Sequence, residues 1–278
     1  MSKDEYKKSE ASFLSIHEAD GDIDTMDKCL DDGRVYLQVS FRQEDPSTHV
    51  LKMQAFWMMP YGPVLLSKQF EWLVDGSVDG DLVMSIQDNL ECVLDMTVKI
   101  LSDKKGDVWS NKLMEIERES QAKYGNSVMK SVFIIRELAK SWGNAPEKLI
   151  FIQGEDDIKD ISDQPYIYIV KVARNAEADY PESLVITVKV GNTTIFEDVN
   201  LCVGLAAVIQ LCFVFNLMFP KEADDVFNYV QRCLAKFGPP SGARNAKGQV
   251  KKKFLDFQCA VADALLLQKK GVVEKMWV

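Results

Sequence analysis

Residues 199–219 read VNLCVGLAAVIQLCFVFNLMF, the most apolar segment of the chain and 21 residues without a charge. A helix of this length is long enough to cross a bilayer. The run also suits a helix at the centre of a domain, which is apolar on all sides. Its Gln210 and Asn216 are polar, and Lys221 and Glu222 follow it without a positive-inside asymmetry. We therefore predict a buried core helix, with a membrane span as the alternative.

The flanks of this run show the patterns of a small α/β module. Short apolar or alternating runs before it are typical of strands, and amphipathic stripes after it are typical of helices. The predicted strands are residues 149–153, 166–172, 184–190 and 193–196. The predicted helices are residues 199–219, 221–237 and 252–268. The pattern predicts a small sheet with three C-terminal helices.

The first half of the chain shows strand-like patterns before helical spacing. Residues 35–41 alternate apolar and polar side chains, which is the period of a half-buried strand. Residues 49–59 fit a second strand, and residues 64–74 a third strand or an irregular apolar segment, a pattern that suits an antiparallel meander. Helical spacing follows in residues 81–104, 107–123 and 126–142. The predicted fold class is α+β: N-terminal antiparallel strands followed by helices, then the small sheet with three C-terminal helices.

Composition and charge suggest how the chain is organised. Residues 1–32 are acidic and predict a flexible arm, residues 33–145 a strand-then-helix region, and residues 146–278 the C-terminal α+β module. The 278 residues are 47% hydrophobic, enough for a sizeable core, and carry a net charge of -9. No basic region followed by an apolar stretch opens the chain, and its six scattered cysteines are typical of free thiols. We expect an intracellular protein, cytoplasmic or nuclear.

An acidic cluster follows the first predicted strand of the C-terminal module. Its carboxylates belong to Glu155, Asp156, Asp157 and Asp160. Carboxylates at such a position are the ligands that Mg²⁺ uses in phosphoryl transfer and nuclease chemistry. A solvated acidic loop is the favoured interpretation, because no second acidic pair stands at another strand end. A metal-dependent nuclease is kept as a hypothesis beside it.

A basic segment without any acid runs from residue 242 to residue 253. Its five positive charges belong to Arg244, Lys247, Lys251, Lys252 and Lys253. These side chains suit contacts with phosphates and a salt-dependent affinity for nucleic acid. No aromatic residue is interleaved for base stacking, so a solvated linker is the favoured alternative.

The sequence offers little material for an enzyme active site. Its only histidines are His17 and His49, too few for most zinc sites, triads or histidine bases. No Gly-rich phosphate loop and no GxSxG elbow occurs. We therefore predict no catalytic residues and no cofactor, and we identify no small-molecule substrate.

Three segments of the C-terminal half carry a family resemblance. They are CFVFNLMFPKEA at residues 212–223, FNYVQRC at 227–233 and GARNAKG at 242–248. In this order they resemble the C-terminal module of a large group of uncharacterised animal proteins, often linked to mobile elements and sometimes carrying a sterile alpha motif domain. The resemblance covers residues 166–267. It implies that the apolar helix belongs to a soluble protein, and it assigns no catalytic residue or ligand.

The leading functional hypothesis is a non-enzymatic interaction module that assembles with itself or with a protein partner, and is derived from a mobile element. Phe56 and Trp57, in an FWMM run, and Trp277 near the C-terminus suit the anchoring of a partner. Ordinary core packing is the alternative for these side chains. Nucleic-acid binding and nuclease activity are the two alternative functions, and we expect no membrane partner.

Overall fold

The computed structural model describes residues 3–16, 22–43, 62–74, 81–121, 127–157, 159, 163–173, 182–237, 256–257 and 259–264. Their helices are α1 (Lys3–Leu14), α2 (Ile23–Gln43), α3 (Gly62–Val74), α4 (Leu82–Lys105), α5 (Asp107–Glu119), α6 (Ser127–Ser141), α7 (Leu201–Val214) and α8 (Asp224–Tyr229). Their strands are β1 (Ile150–Ile152), β2 (Pro165–Ala173), β3 (Glu182–Val190) and β4 (Thr193–Phe196). The described part is mostly helical and contains one small mixed sheet.

The prediction of N-terminal antiparallel strands is wrong, because helices occupy those positions wherever the structure describes them. Residues 35–41 lie inside α2. This helix buries Met26, Leu30 and Leu37, which recur at helical spacing along it. A window of seven residues fits a strand face and a helix face about equally well. Along α2, the burial of the described side chains follows the helical period.

The same correction applies to the predicted strand at residues 64–74. These residues form most of α3, whose buried positions are Gly62, Leu65, Leu66, Gln69 and Phe70. The intervals of three and four residues between them are those of one helix face. The predicted strand at residues 49–59 lies outside the described residues.

Helices also occupy most of the described residues of the N-terminal segment that the sequence predicts as a flexible acidic arm. α1 packs along α2 and buries Phe13. A Cβ atom on Gly33 of α2 would lie 2.8 Å from the Cβ of Phe13, so only a glycine permits this close approach. The Ser9 hydroxyl donates a hydrogen bond to the Asp32 carbonyl oxygen at 2.8 Å. One face of α1 is therefore docked on α2.

The sheet and α7 form the centre of the C-terminal part. The strand order is β1-β2-β3-β4, with β1 parallel to β2 and the other neighbours antiparallel. α7 packs on β2 and β3, and also contacts α3 and α4. Gly204 of α7 faces the sheet, since a Cβ at this position would lie 3.4 Å from Ile167 and 3.7 Å from Ile186. Most of the apolar run is thus buried by protein.

α7 is shorter than the apolar run that predicts it. Its N-cap Asn200 accepts a hydrogen bond from the Val203 N–H at 2.9 Å. At its other end Asn216 adopts a φ of 52°, and the Leu217 N–H donates to the Cys212 carbonyl at 2.7 Å. Its 14 residues span about 21 Å, less than the ~30 Å core of a bilayer. Among the described residues, no helix has both the length and the apolar character of a membrane span.

The last three helices before the sheet lie where the sequence predicts them. α4, α5 and α6 occupy the segments predicted as helical. Asp81 caps α4 by accepting the Val83 N–H at 2.8 Å. After α6, Gly143 adopts a φ of 78° and the chain leaves the helix. Cap and breaker residues therefore set these boundaries locally.

The predicted C-terminal helices differ from the observed ones in detail. The helix expected at residues 221–237 divides into α8 and a π-helical turn, Val230–Leu234. The helix expected at residues 252–268 is described at 256–257 and 259–264, and both stretches are helical. The Phe257 ring lies 5.4 Å from the Trp142 ring, so this last segment packs against the end of α6.

Candidate functional site

The acidic cluster is organised around one buried carboxylate. Arg136 of α6 donates to the two Asp156 oxygens at 2.7 and 2.9 Å, and also to the Ile150 carbonyl oxygen. The same carboxylate accepts the Ile152 N–H at 2.7 Å. The Arg136 and Asp156 side chains are only 7% and 10% exposed. Asp156 therefore ties the turn after β1 to α6, and hydrogen bonds of the fold occupy its oxygens.

The other carboxylates of the cluster do not share this position. Glu155 and Asp157 are exposed, and Asp160 lies outside the described residues. Among the residues that the structure describes, no group of three or more His, Cys, Asp or Glu side chains is arranged to hold a metal ion. The nuclease hypothesis therefore loses Asp156 as a free ligand and stays a prediction for the remaining three carboxylates.

The other residues predicted to bind a partner or nucleic acid lie outside the described part of the chain. They are Phe56, Trp57, Arg244, Lys247, Lys251, Lys252, Lys253 and Trp277. Partner binding at the aromatic residues and nucleic-acid binding at the basic segment stay predictions.

All six cysteines are free thiols. Burial raises the pKa of the Cys233 thiol to about 12, and it also raises the pKa values of Cys202 and Cys212. The thiolate is the nucleophilic form of cysteine. These three thiols are therefore protonated and unreactive near neutral pH.

α3 and α7 run side by side in the same direction. The Gln210 amide donates to the Ser67 hydroxyl at 3.0 Å, and the Phe213 ring meets the Phe70 ring edge-on at 5.6 Å. Phe70 lies three residues after Ser67 on α3, and Phe213 lies three residues after Gln210 on α7. The two contacts therefore follow each other in the same direction along both helices. The C-terminal ends of α3 and α7 therefore lie together.

Three exposed apolar side chains lie in the last turn of α3, in the last turn of α7 and in the segment that follows α7. Leu73 is 46% exposed, Phe213 37% and Met218 60%. Leu73 lies one turn beyond Phe70, on the helix face that carries the buried residues of α3. Phe213 is the one exposed residue of α7, all of which the structure describes. We call Leu73, Phe213 and Met218 the α3–α7 apolar surface.

Phe213 packs on two other aromatic side chains of the structure. The Phe237 ring lies 4.9 Å from Phe213 and 5.1 Å from Phe70, in edge-to-face contacts. Phe70 and Phe237 are buried, so they hold Phe213 in a defined orientation. Periodicity could not reveal this surface, because it assigns Phe213 and Leu73 to the same apolar stripes as their buried neighbours.

No family model, curated protein or solved structure matches this chain. The resemblance of residues 166–267 to a module of mobile-element-associated animal proteins therefore stays a prediction.

Proposed function

We propose that the chain is a non-enzymatic interaction module, and that it assembles with a second copy of itself through the α3–α7 apolar surface. The exposure of Phe213 carries this proposal. α7 is otherwise buried or half-buried, yet this aromatic side chain is 37% exposed. Aromatic anchors that rest on a packed base are typical of the residues that dominate binding energy at interfaces.

The chemistry of the surface favours a second copy as the occupant. Leu73, Phe213 and Met218 carry no charge, whereas the whole chain carries -9. Two copies repel each other over most of their surfaces, and this repulsion is weakest where the surfaces are uncharged. An apolar surface is also complementary to itself, as a two-fold interface requires. The flexible side chain of Met218 adapts to an opposing surface at little cost.

An intracellular location belongs to the same proposal. Free thiols persist in the reducing compartments of the cell, and all six cysteines of the chain are free. The mobile-element origin implied by the resemblance of the C-terminal half is likewise part of the proposal. It is compatible with assembly and supplies no independent support for it.

Light scattering coupled to size exclusion tests the assembly over a range of protein concentrations. We expect a dimer in the wild type and a monomer in the double variant Leu73→Glu/Met218→Glu, with a dissociation constant raised at least about 10-fold. Phe213 is left unchanged because it also packs on Phe70 and Phe237.

The matched control is Val108→Glu/Met114→Glu, which adds the same charge at two exposed apolar residues of α5. This control should remain dimeric. A wild type that is monomeric at every concentration would rule out self-assembly. A dimer unaffected by the first double variant would place the interface elsewhere. A monomer that binds a different protein through Leu73 and Met218 would replace the second copy by that partner.

A further inference from the structure

Arg232 is a buried cation on an unusual turn of helix. It lies in the π-helical turn Val230–Leu234, which follows α8 directly. Arg232 is only 8% exposed. π-helical turns are rare and are found frequently at functional sites. The position of Arg232 therefore invites a functional explanation.

Contacts on both sides of this turn hold it against α4. The Thr97 and Tyr229 hydroxyl groups share a hydrogen bond of 2.9 Å just before the turn. The Ser85 hydroxyl donates to the Ala235 carbonyl oxygen at 3.0 Å just after it. Both contacts join α4 to the segment that carries Arg232. The backbone beneath the guanidinium is therefore anchored at two points.

One edge of the Arg232 guanidinium has no hydrogen-bond partner. Its Nε and Nη2 atoms are both buried and neither donates a hydrogen bond. These two atoms carry the parallel N–H groups with which an arginine grips a carboxylate or a phosphate in a bidentate fashion. A buried charge without a partner is strongly unfavourable, so a binding partner for this edge would stabilise the protein.

The immediate neighbours do not neutralise this charge. Burial raises the pKa of the adjacent Cys233 thiol to about 12, so the sulfur is uncharged at neutral pH. Burial also lowers the pKa of Arg232, but a guanidinium keeps its proton in proteins. Asn228, one helical turn earlier, directs its amide nitrogen to the Asp224 carbonyl at 2.6 Å and leaves its oxygen without a partner. Among the described residues, Arg232 forms no ion pair.

We propose that Arg232 is the cationic centre of an oxyanion-binding site, and that its Nε–Nη2 edge binds a carboxylate or phosphate group. Two oxygens of either group match the spacing of the two N–H donors. Such an anion supplies the hydrogen-bond acceptor that the Nε and Nη2 atoms lack. The site does not depend on the dimer proposed above, since none of its residues belongs to the α3–α7 apolar surface.

Thermal unfolding of the full chain tests the proposal, with inorganic phosphate and acetate as probes and chloride holding the ionic strength constant. We expect the Tm to rise by on the order of 3 °C at about ten times the dissociation constant. The rise should disappear in Arg232→Met. It should persist in Arg118→Met, which removes an exposed guanidinium of α5. A response to phosphate alone or to acetate alone identifies which group the site prefers.

The unfolding of Arg232→Met without any probe supplies the decisive contrast. If the proposal holds, this variant is at least as stable as the wild type in chloride buffer, because it lacks an unpaired buried charge. A Tm far below that of the wild type, or a failure to fold, would show that the chain itself pairs Arg232 and would overturn the proposal.

Nuclear magnetic resonance of the wild type tests binding without relying on that variant. The Nε–H signal of Arg232, assigned by its loss in Arg232→Lys, should shift in a saturable manner on titration with phosphate or acetate. A signal that both probes leave unmoved would also overturn the proposal. The same titration on Leu73→Glu/Met218→Glu should give an equal shift, which separates this site from the dimer interface.

Discussion

Arg136 and Arg232 are both buried, but their surroundings differ sharply. Arg136 donates to both Asp156 oxygens and to the Ile150 carbonyl oxygen. Arg232 leaves its Nε and Nη2 atoms without partners. The first guanidinium is part of the architecture, since it holds the turn after β1 against α6. The second adds nothing comparable to the fold, and this difference is why we assign it a ligand.

Burial alone therefore does not reveal the role of a polar side chain. Removing one member of a paired buried group leaves the other uncompensated and is costly. Removing a group that has no partner relieves a desolvation cost instead. Opposite signs of the stability change therefore distinguish the two cases, and neutral side chains of this fold provide further examples.

The largest effect is expected for Arg136→Met. The Asp156 side chain is 10% exposed, and the change removes the cation that pairs with its carboxylate. We expect the free energy of unfolding to fall by about 3–5 kcal/mol, measured by urea denaturation. Arg118→Met removes an exposed arginine and should change stability by less than about 0.5 kcal/mol. Equal stability changes in the two variants would show that the paired guanidinium of Arg136 contributes no more to stability than the exposed one of Arg118.

Two buried glutamines repeat the comparison without charge. Gln69 of α3 is 3% exposed, and neither atom of its amide has a hydrogen-bond partner. Gln210 of α7 is 2% exposed and donates to the Ser67 hydroxyl at 3.0 Å. Methionine has a similar shape, so we expect Gln69→Met to raise the free energy of unfolding by about 1–3 kcal/mol and Gln210→Met to lower it by about 1 kcal/mol.

Urea denaturation of the two glutamine variants, each against the wild type, provides the measurement. Each variant serves as the control of the other, because the substitution and the degree of burial are the same. Stability changes of the same sign would mean that pairing does not separate the two glutamines.

The smallest effect concerns the Thr97 and Tyr229 hydroxyl groups. They share a hydrogen bond of 2.9 Å and both residues are fully buried. We expect Thr97→Val and Tyr229→Phe each to lower stability by about 1 kcal/mol. The double variant should lose less than the sum of the two, because neither hydroxyl is then left alone. Strict additivity in this double-mutant cycle would show that the pair contributes no coupling.

Local sequence was sufficient for the elements whose signals are strong over their whole length. The spacing along residues 81–104 predicts α4, and the Asp81 cap is observed. The strands of the sheet and the helix within residues 199–219 also lie where the sequence predicts them. The strand at residues 35–41 is the instructive failure, because a short alternating window cannot distinguish one sheet face from part of a helix face.

The candidate sites were largely beyond prediction from sequence. The acidic cluster is visible as composition, but the role of Asp156 depends on Arg136, 20 residues earlier in the chain. The α3–α7 apolar surface depends on which apolar residues other elements leave uncovered. Arg232 resembles any other arginine of an amphipathic helix until its surroundings are known.

An uncharged run of 21 residues, with Asn216 near its end and Pro220 directly after it, requires burial and a helix end, whatever surrounds it, because apolar surface and helix termini impose these needs locally. Long-range packing alone selected Phe213 to stay exposed, gave Gln210 a partner 143 residues away and left Arg232 without one. The physical reason is that the exposure and the hydrogen bonding of a side chain depend on which atoms of other segments lie beside it. Folding, rather than proximity along the chain, brings those atoms together.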